Sequence, residues 1–131
     1  MSASRKWRII PGFVIHVLVG GIMIFAGSMK VFVSPSKEML DQMSKMGLAE
    51  NITIIGTGEL VTAGLLILPW TMSLGTLLAS SFWGGAICIH MSHGESYALQ
   101  AALLLLVWIG AVLRRPATLG SFARERTPQA T

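Results

Sequence analysis

Residues Ile52 to Leu68 read ITIIGTGELVTAGLLIL, an apolar stretch able to lie in a bilayer with one carboxylate, Glu59, in its interior. On insertion scales a charged side chain at membrane depth costs roughly 2.5–3.5 kcal/mol. That is a large share of a folding stability of about 5–15 kcal/mol. Glu59 is therefore expected to face the protein interior, a water-filled cavity or a cationic partner, or to be protonated. What the rest of the chain can bring to it decides both the architecture and the chemistry.

The whole chain has the same character. Of its 131 residues 53% are hydrophobic and only 12% are charged, against about 25% charged in a soluble domain. Mean hydropathy is +0.66. These values point to a single membrane domain over residues 1–131 with the bilayer as its main partner. The net charge of +4 does not mark a nucleic-acid binder, because the basic residues stand at the ends of apolar spans. Cys88 is the single cysteine, so the chain has neither an internal disulfide nor a Cys-x-x-Cys pair for thiol–disulfide exchange.

Working outward, the pattern predicts an all-α fold: a transmembrane four-helix bundle with spans at about 9–33, 52–69, 72–91 and 97–113. A polar tail covers 116–131. The first run is too long for the apolar core of a cleaved leader, although Ala26-Gly27-Ser28 would suit a cleavage site. His16, Gly20, Met23, Gly27 and Lys30 recur in it at spacings of four and three, on one helical stripe. The small residues suit close helix packing. His16 reads as a hydrogen-bonded structural histidine, and Lys30 either snorkels to the interface or turns inward.

Between spans one and two, residues 34–51 (SPSKEMLDQMSKMGLAEN) break the membrane pattern. Ser34 or Ser36 can cap a short helix, with Pro35 tolerated in a first turn and Gly47 as a stop. Met39, Met43 and Met46 fall opposite Lys37, Asp41 and Lys45, which reads as an amphipathic helix on the membrane surface. A methionine face can repack around irregular apolar ligands.

Span three ends in HMSHGE, with His90 and His93 at i and i+3, sharing a stripe with Trp83 and Ala86. On the side of the two termini lie seven basic residues, Arg5, Lys6, Arg8, Arg114, Arg115, Arg124 and Arg126, against Lys30, Lys37 and Lys45 on the other. The excess predicts cytoplasmic termini and a bacterial inner-membrane location. Lys30, Glu59, His90, His93 and Glu95 then share the outer half of the bundle. Ionisable groups inside a membrane are candidate functional groups, the alternative being a polar network that fixes helix register.

The runs GGIMIFAGSMKVF (Gly20 to Phe32), GTGELVTAGLLILPWTMSLG (Gly56 to Gly75) and SFWGGAICIHMSHGE (Ser81 to Glu95) resemble the DoxX-like family of small four-span membrane proteins, over roughly residues 10–113. The resemblance implies a four-helix bundle and a loose link to membrane redox chemistry. Some relatives are subunits of thiosulfate:quinone oxidoreductase or partners of redox enzymes. The wider group has been compared with the vitamin K epoxide reductase bundle, but this chain lacks the paired cysteines of that chemistry.

Three functions remain open on the sequence. One is a redox-associated subunit with a quinone-like ligand among Lys30, Glu59, His90, His93, Trp83, Met39, Met43 and Met46. A quinone head group needs a donor to each carbonyl and a proton source. The second is a non-enzymatic structural or assembly subunit packed against a larger membrane protein, or a homo-oligomer; no complete catalytic motif is present. The third is a metal site built from His90 and His93 with Glu59 or Glu95, two nitrogens and one oxygen.

Overall fold

A computed structural model of the chain describes residues 3–119, and side chains within 6–117. Five helices account for nearly all of it: α1 (Ala3–Val31), α2 (Lys37–Lys45), α3 (Ile52–Ile67), α4 (Met72–Ser92) and α5 (Ala98–Arg114). Short 3-10 turns precede α3 at Ala49–Asn51 and follow α5 at Pro116–Leu119. Strands are absent from the described residues.

Four helices form a ring in which α1 packs against α3 and α5, and α4 packs against the same two. Val19, Met23, Ala63, Leu66, Ala79, Trp83, Leu103 and Val107 meet in the centre. The outside is apolar too: Phe25, Ile54, Leu77 and Leu105 are all exposed. Apolar surface on every side of a bundle is stable only against lipid. The helical periodicity of the sequence therefore reports packing only weakly, because both faces of each helix are greasy.

Three helical stretches are long and apolar enough to cross a membrane: Lys6–Val31, Ala49–Ile67 and Met72–Ser92. The expected fourth span is the apolar helix Ala98–Arg114, with 17 residues. At 1.5 Å per residue it is about 26 Å long, slightly less than a ~30 Å hydrocarbon core. The bundle thus has three helices of full span length and a fourth that is shorter, so the expected count of four spans is not exact. Another difference lies at the start. The polar, basic segment ahead of the first span is helical from Ala3, and Pro11 is carried inside α1. The expected tail lies mostly beyond the described residues.

The surface helix forms as the sequence predicts, with one adjustment. Ser36 caps α2, its Oγ accepting from the Met39 N–H at 3.2 Å. Pro35 consequently precedes the cap instead of standing in the first turn. Gly47, at φ +70°, provides the left-handed residue that ends the segment. No residue of α2 is buried.

Candidate functional site

The site begins with a close approach of two helices. A Cβ on Gly27 would come within 2.7 Å of the Gly56 carbonyl oxygen, and one on Gly56 within 2.7 Å of Lys30 Cβ. Glycine at both positions lets α1 and α3 touch backbone to backbone. One turn on, Lys30 Nζ donates to both carboxylate oxygens of Glu59, at 2.8 and 2.7 Å. Only 8% of the Lys30 side chain and 5% of the Glu59 side chain are exposed. Lys30 turns inward and does not snorkel to the interface. Each charge is the solvation of the other, so the surroundings of Glu59 are a cationic partner at the edge of a cavity.

That cavity has a volume of about 430 Å³, within the usual range of small-molecule pockets. Lys30 and Glu59 form one wall. Phe82, Trp83, Ala86, Ile89 and His90 of α4 form another, with Gln100 of α5 beside them. Gln42 and Met43 of α2, with Met46 and Leu48 just after it, complete the lining. The amphipathic helix thus lies over the polar pair, with the bundle beneath it.

His90 is held at one ring nitrogen. Gln100 Nε2 is 2.9 Å from His90 Nε2. With the Gln100 amide as donor, Nε2 accepts and the ring proton sits on Nδ1; this tautomer follows from the bonding pattern. Glu95 Oε2 lies 3.0 Å from Nδ1 but at an angle that makes no hydrogen bond. Three buried polar atoms of cavity-lining residues therefore lack a hydrogen-bond partner among the described residues: Trp83 Nε1, His90 Nδ1 and Gln100 Oε1. A buried group left unpaired costs about 1–3 kcal/mol. Two donors and one acceptor thus stand unpaired on residues that line one cavity.

The sequence candidates are not all gathered there. Met43 and Met46 line the cavity, whereas Met39 does not. His93 is exposed and folds back on its own helix end, its Nδ1 2.9 Å from Ile89 O and 3.1 Å from Ser92 Oγ. Helix α4 stops at Ser92, so the i, i+3 relation of the two histidines does not continue as one helical face. Glu95 stands at the rim, 39% exposed. Among the described residues no three His, Cys, Asp or Glu side chains come together as a metal-binding group. Gln100 and Gln42 are not among the sequence candidates; a glutamine in the first turn of α5 carries no signal beyond its nearness to the histidines.

A second polar cluster occupies the opposite end. His16 is fully buried. Its Nε2 donates to Val107 O at 2.8 Å, which leaves Nδ1 to accept from Arg114 Nη1 at 2.7 Å. Arg114 also donates to Leu66 O at 2.8 Å and Ile67 O at 3.2 Å, closing the free carbonyl end of α3. Its guanidinium lies 5.3 Å from the centre of the Phe13 ring. A Cβ on Gly110 would strike the His16 imidazole, so this glycine makes the room the ring needs. His16 is the structural histidine expected of it. The reach of Arg114 into the bundle was not visible in a span-ending Arg-Arg-Pro.

The helices long and apolar enough to cross a membrane make this a small polytopic helical membrane protein. The DoxX-like family model matches residues 14–112, most of the chain, and the protein belongs to the DoxX-like family. No curated protein and no solved structure matches it.

Proposed function

We propose that the outer cavity binds a lipophilic molecule with an oxygen-bearing ring, a quinone, and that the protein serves as a redox-associated subunit of the membrane. The observation that carries this reading is the set of open polar atoms on Trp83, His90 and Gln100 beside the buried Lys30–Glu59 pair. Their chemistry fits the group: N–H donors for carbonyl oxygens, an acceptor for a hydroxyl, and apolar walls from Met43, Met46, Ile55 and Phe82. A bound quinone supplies two-electron, two-proton chemistry. Glu59 and Lys30 hold a proton that can be exchanged at the cavity wall, and the Nδ1–H of His90 orients an oxygen. Met43 and Met46 exclude water. The role is accessory: electrons would pass between the quinone and a partner enzyme.

The proposal includes the orientation. The described basic side chains divide between the ends, with Lys6, Arg8, Arg114 and Arg115 at one and Lys30, Lys37 and Lys45 at the other. Together with the basic termini this favours cytoplasmic ends in a bacterial inner membrane, with α2 outside. Single cysteines at Ser36 and Ser121 in a Cys88→Ala background test it. An impermeant thiol reagent on intact cells should label the first and spare the second; the reverse pattern inverts the topology.

A second reading has its own observation. Thr53, Thr57, Gly58 and Thr62 of α3 form a shallow groove with Val61 and Leu78 on the outside of the bundle. Small residues there suit the approach of a helix from another membrane protein, the arrangement of a structural or assembly subunit. Mass spectrometry of lipids and metals that co-purify in mild detergent separates the two. Quinone approaching one molecule per chain is the expected result. Partner proteins without any quinone would overturn the ligand reading in favour of the assembly one.

A further inference from the structure

At the end of the bundle carrying the termini, α1 and α5 enclose a cleft of about 790 Å³ lined by Arg8, Arg114 and Arg115 together with Ile9 and Leu113. Arg114 is anchored there by His16 and by the last carbonyls of α3. Those bonds use three of its five N–H donors, and the other two are not engaged by any described residue. Arg8 and Arg115 are exposed. The described carboxylates, Glu38, Asp41, Glu50, Glu59 and Glu95, all belong to the opposite half of the bundle. Three guanidinium groups thus line one cleft without a counter-charge among the described residues, at the end of the apolar helices.

The cleft does not end in water on every side. Leu113 also belongs to an apolar groove that runs along the outer face of α5 with Leu105, Trp108, Ile109 and Val112. From Leu105 to Leu113 the helix rises about 12 Å. A basic cleft continuous with an apolar trough has the two-part chemistry of a phospholipid, phosphate above and acyl chain below. Arginine forks match phosphate oxygens in pairs, and cationic clefts between helices at the membrane surface are suited to acidic head groups. We propose that the α1–α5 cleft is a binding site for an anionic phospholipid, its phosphate held by Arg8, Arg114 and Arg115 and one acyl chain lying along α5. This site is independent of the outer cavity and of its ligand.

The test is a native mass spectrometry titration of the full chain in mild detergent with phosphatidylglycerol, and with phosphatidylcholine of the same acyl chains. Phosphatidylglycerol should bind more tightly. Arg8→Gln/Arg115→Gln should weaken it by about thirtyfold, each charge near an acidic head group being worth about fivefold. Lys6→Gln, which removes an exposed charge outside the cleft, should leave the affinity unchanged. Arg114 is kept because it holds the bundle together, and an unaltered melting temperature in the double variant shows that the fold is intact. Equal affinity for the two lipids, an Arg8→Gln/Arg115→Gln variant that binds as the wild type does, or displacement of the lipid by inorganic phosphate would each overturn the proposal.

Discussion

The two ends of the bundle solve the same problem in opposite ways. Each brings a basic side chain and a histidine in among the helices, Lys30 buried and Arg114 half-buried. At the α1 start, His16 and Arg114 spend their donors on Val107, Leu66 and Ile67 carbonyls, and a glycine leaves room for the imidazole. At the α1 end, Lys30 and Glu59 satisfy one another, yet Trp83, His90 and Gln100 around them keep open valences beside a cavity. At one end the polar side chains are tied to main-chain carbonyls, and the two remaining N–H donors of Arg114 face the surface cleft. The other end carries buried polarity that packing alone does not explain. A residue's polarity inside a membrane is thus not by itself a sign of function; what separates the two ends is whether buried polar atoms are left unpaired.

The comparison is broken most readily at the Lys30–Glu59 pair. Glu59→Leu leaves a lysine stranded at low dielectric and should destabilise by about 3–5 kcal/mol, while Lys30→Met/Glu59→Leu should recover most of that loss. Melting in detergent reads both, and additive effects in the double variant would mean that the two charges are uncoupled. Next in size, Arg114→Met removes donors from two carbonyls and from His16, and should cost about 2–4 kcal/mol with quinone retention per folded chain unchanged. Loss of retention in a folded Arg114→Met would show that the ends are not separable. The smallest effect sharpens the contrast. Trp83→Phe deletes an unpartnered N–H together with part of a core ring, so its net cost in stability should stay within about 1 kcal/mol, while quinone binding weakens. Unchanged quinone binding in a folded Trp83→Phe would assign that N–H to the fold.

How much of this the sequence disclosed depends on the kind of partner involved. Glu59 announced itself by its cost in an apolar run, and Lys30 was found because it shares the Gly20/Gly27 stripe at a matching depth. The α2 helix was legible through Ser36, Gly47 and the methionine spacing. Arg114 was read as an interfacial flank because its partners are main-chain carbonyls, which every residue has and no sequence marks. His93 looked like a companion to His90 until the helix ended between them, a boundary that shifts the ring onto Ile89 O. The open valence of Trp83 is likewise invisible in sequence, since an unmade hydrogen bond is a property of the neighbours.

The most direct test of the functional division is a thermal-shift titration with a short-chain quinone. Ligand at about a hundred times its dissociation constant stabilises a protein by about 2.7 kcal/mol. The account predicts that shift in the wild type and in the less stable His16→Ala variant, and none in a folded Glu59→Gln/His90→Ala variant. A full shift in that double variant would contradict it and leave the Lys30–Glu59 cluster, like the His16–Arg114 one, as part of the scaffold.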